Sequence, residues 1–141
     1  MRDEGTTRHY APFEYPALAS PLMVQAAIMA AHEIGVQDRT FRGIFHSKDS
    51  LMAREFKEGP RATENSRYME LMGKMGVLCS EMETACLLML CLTHSGSCAA
   101  IGHPNGAHAN EIMAGSVVAV IGGDNPFGDP EITKKTGEES V

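Results

Sequence analysis

Strand-like and helix-like segments alternate along this chain, and the strand-like ones are few. Residues 40–46 are rich in β-branched and aromatic side chains and read as a strand. Residues 116–121 form a continuous apolar run of strand length, the pattern of a strand buried on both faces. Val77, Leu78 and Cys79 are too few for a helix and suggest a third, brief strand. Helical segments lie between them. Ser20 and Pro21 give an N-cap followed by proline at the first helical position, 22–34 is rich in Ala, Met and Ile, and Gly35 stops the helix. Over 63–75, Tyr68, Leu71, Met72 and Met75 make one apolar stripe that ends at Gly76. Ser80 caps a third helix over 81–92, and Asp129-Pro130-Glu131 opens a last one. This alternation predicts an α/β domain with helices against a mixed sheet. Two or three strands are few beside the usual sheet of about five to six, which points to a piece of something larger.

The 141 residues are enough for one domain. Twelve Lys and Arg against eighteen Asp and Glu give a net charge of −6, so a general nucleic-acid binder is not expected. No apolar run approaches the roughly 18 residues that cross a bilayer. The first seven residues are polar and lack the apolar stretch of a secretory signal. Cys79, Cys86, Cys91 and Cys98 lie mostly in apolar surroundings, as expected of reduced thiols in a cytoplasmic protein. Pro12 and Pro16 keep 11–16 extended, and 47–62 reads as a long polar loop.

Three segments carry chemistry. Glu81 and Glu83 flank Met82 at a predicted helix start. Ser80 and Glu83 fit a capping box, which accounts for them structurally; the alternative is a carboxylate that accepts hydrogen bonds from adjacent hydroxyls of a polyol. His46-Ser47-Lys48-Asp49-Ser50 follows directly after a strand, a ligand position in α/β sheets or a solvated turn. His94, Cys98, His103 and His108 match no compact zinc spacing, so no metal is expected. Asp124 follows the 116–121 run in a turn-like setting.

Taken together, these segments resemble the hexameric nucleoside phosphorylase family, most closely its uridine phosphorylase branch. The resemblance runs through Arg2-Asp3-Glu4-Gly5-Thr6, Tyr10 to Ala17, Gly43 to Ser50, Gly76 to Ala85 and Val117 to Gly122, with Glu81-Met82-Glu83 its most specific part. It implies a three-layer αβα sandwich, here partial, as one truncated domain over 1–141. It implies phosphorolysis of a nucleoside to free base and ribose 1-phosphate, with nucleoside and phosphate as partners, no further cofactor, and a homo-oligomer for the full-length protein. The ribose would be held at Glu83 and Met82, with Glu81 beside them. Asp124 falls near the residue that protonates the base in the purine branch.

The sequence also departs from the family pattern. An aromatic pair that faces the base is replaced by Leu51 and Met52, and the Gln and Arg that read uracil by Glu55 and Lys57. The Gly-rich loop, the Arg and the Gly-Thr turn that bind phosphate are missing, and Arg2 and Arg8 sit near a chain end expected to be mobile. A non-catalytic nucleoside-binding protein and a hydrolytic nucleosidase stand as the alternative readings.

Overall fold

The computed structural model describes residues 1–94, 112–123, Glu131 and Lys134. Three strands, β1 (Arg2–Asp3), β2 (Ile44–Lys48) and β3 (Val77–Glu81), form one sheet in the order β1-β2-β3. Both pairings are parallel, so the expected mixed sheet is a parallel one. A 3₁₀ turn at Thr6–His9 follows β1, and the helices are α1 (Pro21–Glu33), α2 (Leu51–Arg54), α3 (Ala62–Lys74) and α4 (Thr84–His94). The α/β class stands as read.

The helices follow local chemistry closely at their ends. Val24 N donates to Ser20 O at the start of α1. The Ser20 side chain has a different task from the expected cap: its Oγ accepts from Ala114 N at 3.0 Å, and Ser20 N donates to Ala114 O at 2.7 Å. α3 stops where Gly76 takes φ +80°, a conformation that costs a residue with a Cβ. α2 lies inside the predicted loop, as one turn capped by Ser50 Oγ accepting from Ala53 N at 3.1 Å.

The strands depart more. β2 starts four residues later than the propensity-rich segment; Phe41 is exposed and Thr40 Oγ1 donates back to Val36 O at 2.9 Å. The ladder runs instead through His46, Ser47 and Lys48, all buried. β1 has no strand propensity and was expected to be mobile, yet Arg2 is buried. Its Nε donates to Thr7 Oγ1 at 2.8 Å, its NH1 to Pro12 O and Tyr15 O at 2.6 and 2.7 Å, and its NH2 to Ala11 O at 3.0 Å. Residues 116–121 are not a strand. Val117 and Val120 are 80 and 62% exposed, because an apolar run becomes a strand only where a neighbouring edge supplies hydrogen-bond partners. The expected helix from 129 falls largely outside the described residues.

Residues 11–15 are not extended as expected but turn, with Tyr15 N donating to Pro12 O at 3.0 Å. Two outcomes follow. Replacing Arg2 by Ala strands carbonyls on this turn, with an expected loss of about 2–3 kcal/mol in denaturant unfolding; Lys does not restore it, since one ammonium cannot reproduce the planar fork. Among the described residues the outer edges of β1 and β3 have no strand partner. Free edges and exposed apolar side chains predict concentration-dependent self-association in sedimentation velocity; a monomer across the whole range would contradict it.

Candidate functional site

Parallel pairing puts the carboxyl ends of all three strands on one side, where α/β sheets place ligands. Asp3 stands beside Lys48, and Ser47 beside Glu81. Alternation along the strands then sends these residues to opposite faces.

One face carries Asp3, His46, Lys48 and Ser80. His46 is wholly buried between Asp3 Oδ2, 2.9 Å from its Nε2, and Ser80 Oγ, 3.1 Å from its Nδ1. Lys48 Nζ donates to Ser80 Oγ at 2.7 Å and pairs with Glu55 Oε1 at 3.0 Å. A proton on Nε2 satisfies this row: Lys48 donates to Ser80, Ser80 to Nδ1, and Nε2–H to Asp3. Asp3 Oδ2 also meets Arg54 NH2 at 2.7 Å, while Arg54 NH1 donates to Asn65 Oδ1 at 2.9 Å. The Arg54 guanidinium lies 4.0 Å from the Tyr68 ring centre. Burial pushes the Tyr68 phenol up, and the Asp3 charge adds to it.

The other face carries Ser47 and Glu81. Ser47 Oγ donates to Glu81 Oε1 and accepts from Ala85 N at 3.0 Å. Glu81 Oε2 accepts from Glu83 N at 2.8 Å and Thr84 N at 2.6 Å. Glu83 Oε2 accepts from Met82 N at 3.1 Å, and Leu87 N donates to Glu83 O. Three side chains therefore satisfy all four amides from Met82 to Ala85, and three of these, Glu83 to Ala85, are donors that a helix beginning at Thr84 leaves open. Burial pushes the Glu81 carboxyl up, but the hydrogen bonds from Ser47, Thr84 and Glu83 together outweigh it and hold the group below its ordinary value.

The expected capping box is thus replaced. Ser80 and Glu81 belong to β3, the helix begins at Thr84, and Glu81 does the capping. A local S-x-x-E pattern cannot foresee that strand pairing claims its first residue. Met82 and Glu83 are exposed on the turn. Leu51 and Met52 lie on α2, Glu55 is tied to Lys48, and Lys57 is exposed at φ +58°. Glu55 and Lys57 do not line the nearby cleft of about 370 Å³, which is bounded by Asp3, Asp49, Ser50, Arg54, Arg61 and Asn65 among others. Asp124, Cys98, His103 and His108 lie outside the described residues. Among the described residues no group of three His, Cys, Asp or Glu is placed to hold a metal ion, and no helix is long and apolar enough to cross a membrane. Cys79, Cys86 and Cys91 are free thiols. Sequence reading missed Asp3 as the partner of His46 and Arg54 as the partner of Asp3; Asp3 stood out there only within the Arg2–Thr6 resemblance, and Arg54 only as one more charge in the polar 47–62 loop.

Residues 1–103 match the family described as the phosphorylase superfamily. Uridine phosphorylases of Klebsiella aerogenes, Salmonella typhimurium and Escherichia coli are each 33% identical to this chain over 95 residues. Each match covers 64% of this chain and 37% of the relative, so the chain spans well under half the length of the curated relatives it matches.

Because the folded Glu81 has the lower pKa, its contribution to stability is full above the unfolded value of about 4.3 and is lost as pH falls through the folded one. Urea unfolding across this acid window should show a shallower pH dependence in Glu81→Gln than in the wild type. Identical slopes would mean that the carboxylate is not held as described.

Proposed function

The chain belongs to the phosphorylase superfamily, and on that premise we propose that it serves nucleoside phosphorolysis of the uridine type as part of a larger enzyme, in which the steps below take place. The observation that carries this reading is the Glu81-Met82-Glu83 turn at the carboxyl edge of a parallel sheet, with Met82 and Glu83 exposed and the backbone fixed. Glu83 holds the 2′ and 3′ hydroxyls of the ribose, and Met82 packs against the sugar. Phosphate attacks C1′, the bond from C1′ to the base nitrogen breaks, and the base leaves with a proton that Asp124 supplies. Positive charge develops on the sugar, so a carboxylate fixed beside it lowers the barrier. Leu51 and Met52 give the base an apolar surface, with Glu55 and Lys57 near its polar edge. The proposal extends to the family's three-layer sandwich, a homo-oligomer and a cytoplasmic setting.

Phosphate needs several fixed donors. Arg2 spends its guanidinium on backbone carbonyls, and Arg54 on Asp3 and Asn65. We therefore expect this chain to bind uridine without turning it over. Calorimetry with uridine, inosine and thymidine reads affinity and base preference, and Glu83→Ala should abolish binding. Release of uracil and ribose 1-phosphate in phosphate buffer reads turnover. Turnover above about 1 s⁻¹, within the usual enzymatic range, would overturn the expectation about phosphate; absence of nucleoside binding would overturn the ribose site.

A further inference from the structure

We infer that Ser47 and Glu81 are positioning residues, a hydroxyl and carboxylate pair that fixes the Met82–Glu83 turn so that Glu83 alone meets the ribose. This rests on the nucleoside reading above and deepens it. Ser47 is 2% exposed and cannot itself reach a ligand in water. Its hydroxyl has one proton. Since Oγ already accepts from Ala85 N, that proton is directed to Glu81 Oε1. Glu81 cannot turn outward without leaving the hydroxyl and two turn amides unpaired, because its other oxygen holds Glu83 N and Thr84 N. Three of its roughly four acceptor positions are in use. Among the described residues Glu83 has no such ties from neighbouring elements: there its Oε2 takes only the adjacent Met82 N, and the residue is exposed. Of two carboxylates two residues apart, one is built into the scaffold and one is presented. The anchor joins β2, β3 and α4, so the turn's place is set by the sheet and not by the turn's own sequence.

The test compares the wild-type chain with Ser47→Ala, Ser47→Thr and Glu83→Gln. Three readouts are used: carbon-13 titration of the Glu81 carboxyl, hydrogen exchange of the Glu83 and Thr84 amides, and uridine affinity by calorimetry. In Ser47→Ala the Glu81 midpoint should rise, and both the exchange protection and the uridine affinity should fall about tenfold, the scale of a hydrogen bond to a charged group. Thr keeps the hydroxyl and should restore all three. Glu83→Gln should lose uridine while leaving the Glu81 titration where it was. An unmoved Glu81 midpoint and unmoved amides in Ser47→Ala would overturn the link itself. Moved amides with unchanged uridine affinity would overturn its role at the ligand. A wild-type chain that fails to bind uridine would overturn the functional reading, and the titration and exchange would still judge the Ser47 anchor.

Discussion

A buried strand end made entirely of polar residues can exist only if each of them is matched. β2 sets that constraint here: His46, Ser47 and Lys48 are 0, 2 and 3% exposed. An unpaired polar group in such a place costs several kcal/mol, so the neighbours are chosen by hydrogen-bond capacity. Asp3 and Ser80 take the two nitrogens of His46, Glu55 and Ser80 take Lys48, and Glu81 and Ala85 N take Ser47. The positions of β1, β3, α2 and α4 can all be read as answers to that one strip.

This explains what was legible in the sequence. Helices are local, so α1 showed itself through its Ser20-Pro21 start, its composition and Gly35, and α3 through its apolar spacing and Gly76. The sheet is not local. Arg2 and Asp3 have no strand propensity, and β1 forms because Asp3 answers His46 and Arg54 while Arg2 gathers the 11–15 turn. The 40–46 segment looked more like a strand than His46-Ser47-Lys48 does, but propensity describes a half-buried surface in isolation. Residues 116–121 had the right composition and no ladder to join.

The sequence marks the Glu-Met-Glu segment as a helix start, and the helix in fact begins at Thr84, after Glu81 has closed β3. Its two carboxylates look alike in sequence, and only the third dimension separates them. Glu81 is drawn under the turn by Ser47, thirty-four residues away, while Glu83 stays at the surface. Polarity in the sequence marks residues worth explaining, and packing assigns the work.

The parallel register carries a consequence in time. Arg2 and Asp3 pair with Ser47 and Lys48, so this ladder cannot close until β2 has been made. At ribosomal speeds of about 5–20 residues per second, that is a wait of ~2–9 s. Loop closure must come before any of the buried ion pairs can reward it. During that interval the Arg2 guanidinium and the apolar 22–34 segment stand in water together. A sheet organised around a strip of polar residues made well after its first neighbour is thus most exposed to wrong partners before that strip arrives.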